Sequence, residues 1–320
     1  MTSRLLIALA GLLFLLGYAT CTATAQNSKP DGGAPVADYQ QARKQYEKAA
    51  ATGDAKAMTA LGDLYYFGRG VTQDYQQAKG WYEKAAAAGN ARAMRYMGEL
   101  YDHGEGVTQD YQKARQWFER GAAAAGDAEG MNNLGYLYDL GKGVPQDYQK
   151  AREWYGKAAA LGNPGAMRNL GILYEDGHGV QRDYPKAKEW YGKGAAAGDN
   201  GSMRHLGVLY EKGQGAPHDY QRAREWYEKA AALGNPGAMS HLGYLYGQGL
   251  GVTQDYQVAK QWYEKAAAAE DAGAMDSLGV LYENGYGVPQ SYQKAKEWYE
   301  KAAAAGNVDA QRRLRTLPNK

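Results

Sequence analysis

Apolar side chains return along the chain in two alternating registers, and both have the spacing of a helix. In NPGAMRNLGILYED (163–176), Met167, Leu170, Gly171 and Tyr174 stand at i, i+3, i+4 and i+7, one face of a helix. In DYQKAREWYGKAA (147–159), Tyr148, Ala151, Tyr155 and Ala158 form a second face, with Trp154 beside it. Polar residues punctuate both stretches. Every copy of the first opens on Asp54, Asn90, Asp127, Asn163, Asp199, Asn235 or Asp271, whose side chains accept the orphan amides of a first turn. Pro164 and Pro236 directly follow their caps, where a missing N–H costs nothing. Gly-x-Gly, as in Gly177-His178-Gly179, closes the helix. The second stretch opens on Asp147 or its equivalents, with Ser291 in the last copy, and ends at glycines such as Gly162, Gly198 and Gly234. Glu270 takes the place of that glycine once.

The two helices alternate with a fixed period. Asp-Tyr pairs fall at 38, 74, 110, 147, 183, 219 and 255, with Ser-Tyr at 291, in steps of 36, 36, 37, 36, 36, 36 and 36. The longer step comes from one extra residue in GAAAAGD (121–127). A helix pair this short cannot bury its own apolar face and has to stack on a copy of itself, so the period predicts a helical solenoid. Small residues such as Gly171 and Ala151 let neighbouring helices approach, and aromatics fill the gaps. The composition follows from the copying: 28 Tyr against 3 Phe, 7 Trp and 43 Gly in 320 residues.

At this point the residues carry a resemblance. Gly-Ala-Met-x-x-Leu-Gly-x-Leu-Tyr-x-x-Gly-x-Gly-Val followed by Asp-Tyr-x-x-Ala-x-x-Trp-Tyr-x-Lys-Ala-Ala resembles the Sel-like repeat family, a relative of the tetratricopeptide repeats. The match runs from about Ala37 to Leu317. The fold it implies is all-α: a right-handed α-solenoid of seven helix-turn-helix repeats with a capping helix at each end. The opening helix (38–52) has Gln45 where later copies have Trp, and the closing helix (307–317) is polar where others are apolar, as caps facing water should be. The resemblance also implies a bacterial protein acting as an adaptor, signalling regulator or host-interaction factor. Some members are cysteine-rich and linked to β-lactams; this chain lacks their paired cysteines, so that activity is not expected here.

The first residues stand apart. Arg4, the apolar run Leu5–Ala19 and Ala23-Thr24-Ala25 read as a cleavable export signal over 1–25, followed by a linker at 26–37, the repeats at 38–317 and a tail at 318–320. The expected setting is periplasmic or secreted, with the mature chain outside the bilayer. Cys21 is the single cysteine, and Tyr18 and Thr20 make its surroundings a poor lipid-attachment signal. The charges, 37 basic against 35 acidic, give no bulk attraction for nucleic acid.

No phosphate loop, HExxH, GxSxG or paired-cysteine metal motif is present, so neither an enzyme nor a metal or cofactor site is expected. His205 and His241 share one repeat position, but two imidazoles without a third ligand read as polar surface. Variation concentrates instead in the first helix, at the two positions after Met and the one after Leu-Gly. In related solenoids the first helices line the concave side. That lining would hold Arg95, Tyr96, Glu99, Asn132, Asn133, Tyr136, Arg168, Asn169, Arg204, His205, His241 and Tyr244. Arg and Tyr often anchor partners and Asn binds extended backbone, so a protein or peptide partner is expected in this groove. The apolar Ile172 and Val208 on the same face strengthen that expectation. The alternative is an envelope polysaccharide or peptidoglycan stacked on the tyrosines. The chain is expected as a monomer or a weakly self-associating species.

Overall fold

The structure, a computed structural model, describes residues 36–318. The export signal, Cys21 and most of the linker lie outside the described residues. All regular structure among the described residues is helical, in chain order α1 Val36–Ala51, α2 Ala55–Phe67, α3 Tyr75–Ala87, α4 Ala91–His103, α5 Tyr111–Ala125, α6 Ala128–Leu140, α7 Tyr148–Ala160 and α8 Pro164–Asp176. There follow α9 Tyr184–Ala196, α10 Asn200–Lys212, α11 Tyr220–Ala232, α12 Pro236–Gln248, α13 Tyr256–Ala268, α14 Ala272–Asn284, α15 Tyr292–Ala304 and α16 Val308–Thr316. Even-numbered helices carry the first register and odd-numbered ones the second. Seven consecutive pairs, α2/α3 to α14/α15, lie between the single helices α1 and α16. The opening helix starts at Val36, two residues ahead of the expected boundary.

The punctuation works as the sequence predicts. Asn163 is extended and accepts the Ala166 amide at 2.7 Å, while Asp147 accepts those of Gln149 and Lys150 at 3.1 and 3.0 Å. Gly177 is left-handed (φ 78°) and returns its N–H to the Leu173 carbonyl. Gly179 needs both a positive φ of 65° and its missing Cβ, which would stand 2.7 Å from the Tyr148 Cβ in the preceding repeat.

The chain divides into two compact units, the first ending at Trp81 within α3 and the second running from Tyr82 to Lys320. In the first unit Ala50, Ala57, Leu61 and Leu64 form the core, covered by Tyr39, Tyr46, Met58 and Trp81. In the second unit α6, α8, α10, α12 and α14 each pack on the odd helices before and after them, α4 packs on α5 and α16 on α15, and α4 touches α6, α8 touches α10 and α12 touches α14. The core of every repeat has one plan. Ala151, Tyr155 and Ala158 of α7 meet Leu170 and Leu173 of α8, all at most 2% exposed. The Leu-Gly glycine makes room for the buried ring: a Cβ on Gly171 would lie 2.4 Å from Tyr191 Cε1, and one on Gly207 2.4 Å from Tyr227 Cε1. Trp154 and Trp190 are half-buried at the edge, each under a lysine ammonium, Lys157 at 3.9 Å and Lys193 at 4.2 Å from the ring centroid.

Candidate partner-binding face

The hydroxyl of a buried second-helix tyrosine has to be satisfied inside the core, and at Tyr155, Tyr191, Tyr227 and Tyr299 the repeat supplies a carboxylate from its own first helix. Tyr191 donates to Glu175 and Tyr227 to Glu211, both at 2.5 Å, and Tyr155 donates to Asp139 at 3.1 Å. The next repeat closes the unit from the other side. His205 of α10 stacks on Tyr191 with centroids 4.7 Å apart, and its Nδ1 lies 3.4 Å from Glu175. His241 of α12 does the same, 4.6 Å from Tyr227 and 3.2 Å from Glu211. A carboxylate, a tyrosine and an imidazole from three successive helices thus form a rung that fastens one repeat to the next.

The rung fixes protonation. Arg204 can only donate, and it lies 3.1 Å from His205 Nε2, so that nitrogen accepts and the ring proton sits on Nδ1 toward Glu175. Burial and then the Arg204 charge push the His205 imidazole below its usual range, which keeps it neutral. Burial alone would raise Glu175 and Glu211, but hydrogen bonds from His205 or His241 and from the tyrosine outweigh it and hold both carboxyls low. Burial, then the adjacent carboxylate, drives the Tyr191 and Tyr227 hydroxyls well up. A carboxylate–imidazole pair has the composition of an acid–base dyad. At His205 both ring nitrogens are already engaged, leaving none to a substrate. The sequence spells Ser-x-x-Lys once, at Ser291–Lys294; that serine caps α15 by accepting the Lys294 amide at 3.3 Å.

Several of the other expected lining residues are also tied between repeats. Arg95 pairs with Glu99 on its own helix and stands 3.5 Å from Asp127, the cap of α6. Burial works against the Arg95 charge, but Glu99, Tyr96 and Asp127 outweigh it and raise its pKa, while burial raises that of Glu99. Arg168 reaches Asp199, the cap of α10, at 2.7 Å. Asn133 donates to Glu99 at 3.4 Å and Asn169 to Asn132 at 3.0 Å. Lys142 lies 5.0 Å from the Tyr136 ring.

Three residues of this face depart from the expectation. Tyr96 is only 7% exposed; its ring stacks on Tyr82 at 4.9 Å, in the place His205 holds on Tyr191, so it belongs to the core. Val208 is buried and Ile172 packs against the same cluster, so their apolar character serves packing. Tyr244, at 40%, is the exposed member of the lining. His205 and His241 each turn to a carboxylate of the preceding repeat and do not converge on one point.

Sequence reasoning missed the carboxylates Asp139, Glu175 and Glu211. The signal was in the copies. Where the tyrosine is replaced by Phe118, Asp102 keeps a buried Oδ1 with no hydrogen-bond partner. Where the carboxylate is replaced by Gly247, the Tyr263 hydroxyl turns to Ser277.

Comparison with known proteins agrees with this architecture. The model of the Sel1 repeat matches residues 29–54, 55–90, 91–125, 128–163, 164–199, 201–235, 236–271 and 272–307. The first of these stretches holds α1 alone and each of the others holds one helix pair. A Sel1 repeat protein from Oxalobacter formigenes is similar at 33% identity and TM-score 0.71, over 78% of this chain and 99% of that one. The protective antigen c5321 of uropathogenic Escherichia coli, which displays an SLR fold, is similar at 36% identity and TM-score 0.69 over 86% of this chain. The chain spans 59% of that protein's length. Yeast Tom70, at 14% identity and TM-score 0.54 over 88% of this chain and 59% of its own, shares the fold alone. No curated protein matches the chain significantly. With matched repeats over most of its length and a stacked helix-pair architecture, the chain belongs to the Sel1 repeat family.

Proposed function

We propose that the chain is an exported, non-catalytic scaffold that receives a protein or peptide partner on its first-helix face around Arg168, Arg204 and Tyr244. Sel1 repeat proteins are generally scaffolds for protein interactions. The observation that carries the reading is the rung system: it holds the side chains of this face in place before any partner arrives, which lowers the ordering cost of binding. Tyr244 supplies the exposed aromatic anchor beside it. Of the amides suited to a sugar, Asn133 and Asn169 donate to Glu99 and Asn132, which favours a peptide over a polysaccharide. The name of the E. coli relative, a protective antigen, supports an exported setting.

Crosslinking in the envelope and medium of the native organism tests this, with residues 26–320 and the variant Arg168→Ala, Arg204→Ala, Tyr244→Ala as baits. A protein captured by the first and lost with the second, at unchanged helical circular dichroism, is the expected result. Equal capture by both removes the first-helix face from the account, and retention on a glycan array without a captured protein replaces the peptide by a sugar.

A further inference from the structure

The loops joining first to second helices carry a second repeated device, and two repeats abandon it. In five of them a glutamine folds back on the helix it follows. Gln73, Gln109, Gln146, Gln254 and Gln290 donate to the carbonyls of Tyr66, Asp102, Asp139, Gly247 and Glu283 at 2.8, 2.7, 2.7, 2.8 and 2.9 Å. Gln146 and Gln254 also donate to the hydroxyls of Tyr148 and Tyr256, both at 2.9 Å. The amide thereby fills the angle between loop and helix. Two repeats have another residue at this position, His218 and Arg182. His218 meets the Tyr220 ring edge-on at 4.2 Å.

Arg182 lines a cleft of about 510 Å³ between α7 and the α8–α9 loop, together with Arg152, Lys186, Asp183, Tyr174 and Gly179. Three cations therefore meet one carboxylate, and that carboxylate is already used: Asp183 caps α9 by accepting the Lys186 amide at 3.0 Å and lies 3.5 Å from Lys186 Nζ. Among the described residues no carboxylate pairs with Arg152 or Arg182. None of the first-helix residues of the proposed partner face lines this cleft.

We propose that this cleft binds the phosphate monoester of a small molecule. The volume lies within the range of about 300–1,000 Å³ usual for small ligands. Arg152 and Arg182 offer planar forks that match the oxygens of a phosphate, and Lys186 adds a point charge. A dianion balances two unpaired guanidiniums, which a single carboxylate does not. Gln149 and Gln181 add polar side chains to the lining for a hydroxylated body.

The test is calorimetric titration of residues 26–320 with glycerol 3-phosphate at low salt, and in a second arm with vesicles containing phosphatidic acid. Arg182→Gln installs the residue that five sister loops already use, so the fold is kept. His218→Gln makes the same change one repeat away and serves as control. The expected result is one site per chain, at least about tenfold weaker in Arg182→Gln and unchanged in His218→Gln. Saturation by vesicles alone, with the same dependence on Arg182, assigns the phosphate to a lipid headgroup. Equal binding by wild type and Arg182→Gln, or no binding in either arm, overturns the site.

Discussion

Two joints of the second unit share one backbone plan and differ in their polar members: Tyr191, Glu175 and His205 in one have Phe118, Asp102 and Asn133 as counterparts in the other. Around Tyr191 the hydroxyl, Glu175 and His205 satisfy one another. Around Phe118 the ring fills the same space and is just as buried, but Asp102 has no hydroxyl to meet and its Oδ1 is left without a hydrogen bond. Burial accordingly raises the Asp102 carboxyl, whereas hydrogen bonds hold Glu175 low against the same burial. The aromatic ring builds the solenoid, and the polar atoms around it set how firmly one repeat is fastened to the next.

The largest expected effect removes the space for the ring at a complete joint. Gly207→Ala places a Cβ 2.4 Å from Tyr227 Cε1 and should cost about 3 kcal/mol in urea unfolding. Exchanging the joints is the next step down. Tyr191→Phe takes from the complete joint the hydroxyl that the Phe118 joint lacks and should cost about 2 kcal/mol, since Glu175 loses a charged hydrogen bond inside the core. Phe118→Tyr should gain about 1 kcal/mol by giving Asp102 the partner that Tyr155 gives Asp139.

Acid separates the joints further. His205 is held below its unfolded value, so its contribution is present above pH ~6.5 and is lost as pH falls through the lower folded value. Asp276, raised to about 6 by burial against the opposing Arg313 charge, has the reverse sign: its contribution is present at low pH and lost as pH rises through 6. His205→Asn should therefore remove a loss of stability on acidification below pH ~6.5, and Asp276→Asn a gain, both read from urea midpoints against pH. An effect no larger than that of Phe118→Tyr lies at Glu270, which holds φ at 62° where sister copies have glycine; Glu270→Gly should gain about 1 kcal/mol.

The fold was legible because each of its causes is local and repeated. Asn163, Pro164, Gly177 and Asp147 act within a few residues of themselves, and the i, i+3, i+4 faces of Leu170 and Tyr155 need only one neighbour of the same kind. The candidate site was legible as a set of positions and misread in part as a lining. Tyr96 and Val208 stand at positions that vary from copy to copy, yet both are buried, because each packs against aromatic or aliphatic neighbours that a single helical face does not reveal. Glu175 meets Tyr191 across 16 residues and His205 across 30, distances in sequence at which no periodicity argument operates. Comparison of the copies does reach them, since Phe118 and Gly247 each remove one member, leaving Asp102 Oδ1 without a hydrogen bond and Tyr263 to Ser277.

The most direct test of the rung is a double-mutant cycle at Tyr227 and Glu211, with Tyr227→Phe, Glu211→Gln and both together, followed by urea unfolding at pH 7. The account predicts a coupling of about 1–2 kcal/mol, with the double variant less destabilised than the sum of the singles. Additive losses would mean that the hydroxyl and the carboxylate, although 2.5 Å apart, do not act as one unit on which His241 of the next repeat can close.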